Sequence, residues 1–277
     1  MPVKHHLSKW IQAAIAGLAL WFSSFPAGAA DNSALPDWGG VWERYEGNGG
    51  MFDVSTTKPA DGRAGTAGVR QFPPLTQEWE KKYLATLERV ANGRLPDPLS
   101  ICGTPAGYPR LLALPDVYEF IVRPEEFWII TENGPNIMRV YTDGREHPHP
   151  DDLWPTFTGD SIGHWEGAQL VFSTISMIGE KHTILDRSGL VLSDQARIST
   201  RIFETDEGLL RAELVIEDDL ALTEPWHVTR HFRRLPPGTR VYDYACAENN
   251  RNPITSSGQT LTLGPDGNPI DIVIEED

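Results

Sequence analysis

Four side chains in one short stretch have the types that acid–base chemistry uses: Asp160, Ser161, His164 and Glu166, within Gly159-Asp160-Ser161-Ile162-Gly163-His164-Trp165-Glu166. An imidazole titrates near neutrality, and a carboxylate two positions away on an extended chain shares its face. His164 with Glu166 therefore reads as a general base beside its partner. Gly159 to Gly163 also matches the G-x-S-x-G pattern of a hydrolase nucleophile, with Asp186 and His227 following in the order serine, acid, base. That elbow needs a strand before the serine and a helix after it. Here Trp154-Pro155-Thr156 precedes it and the strand-like run Leu170 to Ser176 follows, so the five residues predict a tight turn instead.

A second polar set precedes the first: Arg139, Tyr141, Asp143, Arg145 and His147. His147 and His149 are two residues apart, a spacing that puts both imidazoles on one side of an extended chain, as zinc or another N/O-preferring metal would require. A metal also needs a third fixed ligand, and Pro148 and Pro150 predict a solvated loop, so no metal is expected. Further on, period-two alternation puts Trp226, Val228, Arg230 and Phe232 on one face. An inward arginine needs partners, whether a carboxylate, carbonyls or an anionic ligand group, because burying an unpaired charge costs several kcal/mol. The same alternation sends His227 and His231 to the opposite face. Trp38, Trp42, Trp128, Trp154, Trp165 and Trp226 are more indoles than a core of this size needs, and Trp165 and Trp226 are the ones placed to line a cavity for an aromatic ligand.

The elements that must position these groups follow from composition and pattern. The chain has 277 residues, 40% hydrophobic, with 25 Gly and 22 Pro, which excludes a disordered, collagenous or coiled-coil chain and predicts frequent turns. A formal net charge of -15 argues against binding nucleic acid or anionic lipid. Lys4 and Lys9, the apolar run Ile11 to Phe22, and Ala27-Gly28-Ala29 together read as a cleaved signal peptide over residues 1–29. The apolar run is too short to span a bilayer, and a periplasmic or secreted protein without stable membrane insertion is expected. Leu75, Trp79, Tyr83, Leu84, Leu87 and Val90 recur at helical spacing, predicting one helix near 75–91.

After the helix the pattern changes to short β-branched and aromatic runs. With Val41 to Tyr45, strands are expected at Tyr118 to Arg123, Phe127 to Glu132, Ile137 to Thr142, Leu170 to Ser176, Lys181 to Leu185, Ala196 to Glu204, Leu209 to Glu217, Pro225 to Arg234 and Val241 to Ala245. Short connections imply antiparallel neighbours, and so many strands leave vulnerable edges unless the sheet closes. The expected architecture is a mainly β, antiparallel barrel over residues 30–250 with the helix packed outside; a β-sandwich is the alternative. Residues 251–277 form a peripheral tail in which Thr260 to Leu263 and Ile270 to Ile274 are spaced to pair as a hairpin. Residues 52–70, polar and rich in Gly and Ala, read as a surface excursion.

Cys102 and Cys246 are the only cysteines, and in an exported chain they are expected to form a disulfide. The bond would close a loop of about 145 residues, worth roughly 5 kcal/mol in the chain-entropy model.

An ordered set of motifs carries a resemblance. It runs from Asp37-Trp38-Gly39-Gly40-Val41-Trp42 through Cys102-Gly103-Thr104-Pro105-Ala106-Gly107-Tyr108-Pro109-Arg110 and Tyr141-Thr142-Asp143-Gly144-Arg145-Glu146-His147-Pro148. It continues in Pro155-Thr156-Phe157-Thr158 with Gly159 to Gly167, Glu217-Asp218, Pro225-Trp226 and Cys246-Ala247-Glu248-Asn249-Asn250. The set resembles a large uncharacterised group of secreted bacterial β-rich proteins over residues 37–253. The resemblance implies one continuous exported domain and brings no reaction with it. Gly167-Ala168-Gln169-Leu170 stands where the group has Gly-Asp-Thr-Leu, and Leu192-Ser193 where it has His before Ser. Gly40-Val41-Trp42 also resembles the lipocalin G-x-W start, in which the Trp closes one barrel end.

The functional expectation is a barrel whose cavity takes a small apolar or aromatic molecule. In the leading reading it is an acid–base enzyme of lyase, isomerase or hydrolase type that uses no cofactor, with His164, Glu166, Ser161 and Asp160 catalytic. Arg139, Tyr141, Asp143, Arg145, His147, Trp165, Arg230 and Trp226 would bind the ligand, the arginines orienting an anionic or enolate-like oxygen. The alternatives are a lipocalin-like carrier without turnover and an envelope interaction module.

Overall fold

Nine strands close into a barrel in the order in which they occur along the chain, each paired with the next and the ninth with the first. The computed structural model describes residues 35–45, 72–92, 99, 104–132, 137–179, 185, 189–242, 262–263 and 269–270. The expected signal peptide, the Cys102–Cys246 bridge, Asp186 and residues 52–70 lie outside the described residues.

The strands are β1 (Val41–Arg44), β2 (Val117–Val122), β3 (Glu126–Thr131), β4 (Ile137–Tyr141), β5 (Asp160–Glu166), β6 (Gln169–Ile175), β7 (Arg197–Glu204), β8 (Leu209–Glu217) and β9 (Trp226–Arg234). Closure runs through β1, whose Trp42 sits opposite Tyr118 on β2 and Arg234 on β9. Closure gives every strand a neighbour on both sides, which is the reason for a barrel over an open sheet. The helix α1 (Gln77–Ala91) lies outside the strand order. It buries Trp79 and Tyr83, packs Leu87 against the core, and leaves Leu84 exposed, contrary to the apolar face read from its spacing, while Leu75 lies before the helix and bridges Leu222. Backbone bonds from Thr76 to Ala221 and from Thr223 to Pro74 tie its entry to the β8–β9 connection. In the tail, Thr262–Leu263 (β10) pairs with Pro269–Ile270 (β11), close to the expected hairpin.

Two features depart from expectation. The residues expected to turn at Gly159–Gly163 begin β5, which pairs with β6 from Asp160↔Ile175 to Glu166↔Gln169. The bend sits one residue earlier: Gly159 has φ +70°, and a Cβ there would lie 2.6 Å from the Ile175 carbonyl oxygen. Only glycine takes this conformation at this separation, so the chain turns at Gly159 and enters the strand at Asp160. The second departure is that β4 and β5 pair parallel, through Tyr141↔Ile162, in an otherwise antiparallel barrel. A parallel pair needs a long return connection, and residues 142–159 supply it. The strand expected at Val241 to Ala245 is not formed at its described residues, Val241 and Tyr242.

Alternation is strict enough to sort the barrel wall into two faces. Inward residues include Phe120, Phe127, Ile129, Met138, Val140, Leu170, Phe172, Ile198, Ile202, Leu214 and Phe232, all buried. Their rings touch one another: Phe120 packs on Phe127 at 6.0 Å and on Phe232 at 5.3 Å, and Tyr118 meets Phe232 at 5.0 Å. Trp38 joins this aromatic cluster, its ring 5.8 Å from Phe127 and 5.5 Å from Trp165. Trp42, also fully buried, donates its indole N–H to the Trp38 carbonyl at 2.9 Å, and the Arg234 guanidinium lies over its ring. Tyr108 is buried in the same core, its hydroxyl 2.5 Å from Thr200 Oγ1. Burial pushes the Tyr108 and Tyr118 phenols well above their ordinary value, so both hydroxyls stay protonated in the interior.

Candidate functional site

The return connection between the parallel strands brings polar side chains of three segments together. Leaving β4 at Tyr141, the chain must travel back along the outside of the barrel to start β5, and in doing so it crosses the outer wall. From Asp143 to Asp152 it is exposed at every residue except His147. His147 Nδ1 lies 2.5 Å from Asp160 Oδ1, at the start of β5. Its Nε2 lies 2.8 Å from Ser173 Oγ, on β6. The ladder explains the convergence: Ile162 pairs with Ser173 and Asp160 with Ile175, so Asp160 and Ser173 are diagonal neighbours on the same outward face. Gly159, by forcing the bend, determines where Asp160 begins.

The tautomer follows from donor inventory. A carboxylate oxygen only accepts, so Nδ1 carries a proton; when the ring is neutral, Nε2 is the acceptor and Ser173 donates to it. The arrangement is Asp–His–Ser, with the imidazole oriented by the carboxylate and its free lone pair aimed at a hydroxyl. It can withdraw the proton from Ser173 as that oxygen attacks an electrophilic carbon. His147 and Asp160 are both partly buried, their side chains 21% and 25% exposed, which shields the relay while leaving it reachable.

The residues expected from sequence divide by face. On β5 the even positions Asp160, Ile162, His164 and Glu166 point outward, whereas Ser161, Gly163 and Trp165 point in. Ser161 is buried and shares a 2.8 Å hydrogen bond with Thr174 Oγ1, so it meets neither Asp160 nor His164. His164 and Glu166 do pair, at 3.1 Å, but on an exposed stretch where Arg201 also reaches Glu166 at 2.9 Å. The hydrogen bond from His164 and then that from Arg201 hold the Glu166 carboxyl below the usual carboxylate range. A carboxylate so engaged with an imidazole and a guanidinium, in water, forms a surface polar network. Trp165 packs against the Trp38 and Phe127 rings. Trp226 and Arg230 face inward as expected and are buried; Arg230 donates from Nη1 to the Thr229 carbonyl at 2.7 Å.

The remaining members line the outer wall beside the relay. Arg145 forks onto Asp143, with Nε 2.9 Å from Oδ1 and Nη2 2.5 Å from Oδ2, and lies 3.9 Å over the Tyr141 ring. That bond draws the Asp143 carboxyl below its usual range and raises the Arg145 guanidinium. Arg139 stacks 4.6 Å over Trp128, whose indole N–H donates to Glu126 at 2.8 Å. Both arginines are thus engaged outside the barrel, not within a lumen. His149 diverges from His147, its Nδ1 accepting from the Asp151 backbone at 3.3 Å, and among the described residues no three His, Cys, Asp or Glu side chains gather as metal ligands. Trp154 is exposed.

Set against known proteins, the chain matches no family model and no curated protein. Chemistry here is therefore read from the site alone.

Sequence reasoning missed Ser173. Nothing around it resembles a motif, since Val171-Phe172-Ser173-Thr174 reads as ordinary strand. The available signal was parity: in Leu170 to Ser176 the polar face includes Ser173, and a hydroxyl there faces whatever crosses the barrel wall.

Proposed function

We propose that the protein is a cofactor-independent hydrolase of the acyl-transfer type, with Ser173 as nucleophile, His147 as general base and acid, and Asp160 as the group that orients the imidazole. It is the hydrolase form of the acid–base reading, moved from the barrel lumen to its outer wall. One observation carries it: a single imidazole bonded through one nitrogen to a carboxylate and through the other to a serine hydroxyl. In the reaction, Ser173 Oγ attacks the ester carbonyl carbon while His147 Nε2 takes the hydroxyl proton. The ester C–O bond then breaks and the alcohol leaves with that proton. Water repeats the sequence on the acyl-serine, releasing the acid and restoring the hydroxyl. The N-terminal signal pattern supports action in the periplasm or outside the cell.

The test is labelling of the purified protein with a fluorophosphonate–biotin probe, followed by peptide mass spectrometry. The expected adduct is on Ser173, and His147→Ala or Asp160→Asn lowers the labelling rate by on the order of 10³-fold. Absence of an adduct on Ser173 in folded protein, or unchanged labelling of His147→Ala, overturns the reading. Urea titration of each variant verifies that it folds.

A further inference from the structure

We infer that β7 is the substrate side of this site and that it selects substrates whose acyl part carries an anionic group, with Ser199 and Arg197 as the recognition pair. The inference rests on the proposed hydrolase reading and adds the substrate class.

The geometry begins with what Ser173 lacks. In a strand-to-helix elbow the backbone amide beside the nucleophile can hold the developing oxyanion. Here β6 is paired on both edges, to β5 and to β7, so its amides are committed to the ladders. The donor has to come from a side chain. The return connection with His147 covers the β5 side of Ser173, leaving β7 as the open flank. Directly across that flank stands Ser199, the ladder partner of Ser173 and exposed. Such cross-strand partners have Cβ atoms about 4.5–5.5 Å apart, so the Ser199 hydroxyl reaches an oxygen on a carbon bonded to Ser173 Oγ.

Arg197 lies two residues before Ser199 on the same outward face, about 7–8 Å from Ser173 as a diagonal neighbour. It differs from the other arginines of the outer wall. Arg139 engages Glu126 and Trp128, Arg201 bonds Glu166 and Gln169, Arg211 pairs with Glu213, and Arg233 with Glu43. Arg197 faces Glu217 across the β7–β8 ladder, yet no ion pair or hydrogen bond joins its side chain to any described residue. In a chain of net charge -15, a barrel-wall guanidinium left open beside a nucleophile is available to a carboxylate, sulfate or phosphate on the substrate. The separation fits an anion two to three bonds beyond the reacting carbonyl, as in a hemisuccinate.

Hydrolysis of 4-nitrophenyl hemisuccinate and of neutral 4-nitrophenyl acetate, measured beside the fluorophosphonate label, tests this. The native protein is expected to prefer the anionic ester in kcat/KM. Arg197→Gln lowers that preference about fivefold, through the KM of the hemisuccinate. Molar salt shrinks the preference in the native protein and not in the variant. Ser199→Ala lowers kcat for both esters with KM retained, and Ser199→Thr restores part of it. If Ser173 takes the label but Arg197→Gln leaves the preference unchanged, or the native protein shows none, the inference fails and the hydrolase reading stands. If Ser173 takes no label, both fail.

Discussion

Ser161 and Ser173 stand on adjacent, paired strands and have opposite fates. Ser161 is the serine with the motif: glycines two before and two after, an aspartate beside it and a histidine three residues on. It faces the barrel interior, where its buried hydroxyl is shared with Thr174. Ser173 has no motif, faces out, and is the serine that His147 meets. The difference is one of parity. Along a strand a side chain's environment alternates with each residue, so a nucleophile's neighbours in sequence are by construction on the other wall, and its working partners come from a different segment. The proposed chemistry of this barrel uses the outer face, where chain crosses chain, and the packed core lies on the inner one.

That contrast can be broken or sharpened by substitution. Phe127→Ala removes a fully buried ring that packs on Phe120 and Trp38 and should cost about 3–5 kcal/mol of unfolding free energy in urea titration, the largest effect expected. Gly159→Ala forces a side chain into a left-handed bend against the Ile175 carbonyl; it should cost about 1–3 kcal/mol and slow fluorophosphonate labelling by displacing Asp160. Ser161→Ala leaves the Thr174 hydroxyl buried without this partner, for about 1–2 kcal/mol, and should leave labelling of Ser173 untouched. A labelling defect in Ser161→Ala with folding intact would reverse the assignment of faces.

The smallest effect concerns pH. Because Arg145 lowers the folded pKa of Asp143, the pair contributes stability that is fully present above the ordinary carboxylate range and is lost as pH falls through the lowered value. Arg145→Gln should return the Asp143 carboxyl to its ordinary range in an NMR titration, with little change in stability, since both groups are in water.

Much of the fold was legible in the sequence. The helix from Trp79 and Tyr83, and strands such as Leu209 to Glu217 with its alternating apolar face, emerge from periodicity alone, because burying one face imposes that period locally. β5 did not, since Gly159 and Gly163 read as turn residues. Gly159 does bend the chain, but Gly163 lies inside a strand, and it is glycine because a Cβ there would collide with the Val171 carbonyl and Phe172 on the adjacent strand. Of the site, His147 and Asp160 were recognised by type but assigned to different groups: 13 residues separate them, and their 2.5 Å contact depends on how the connection between them folds back.

The amino-acid order by itself determined the β-rich architecture, the helix α1, the inward set with Arg230 and Trp226, and the net negative charge, all of which follow from local periodicity and composition. Only the tertiary structure decided that β4 and β5 run parallel, and from that followed a connection obliged to cross the outer wall. The residues meeting beneath it, His147, Asp160 and Ser173, are joined by a return path through space, which no local pattern encodes.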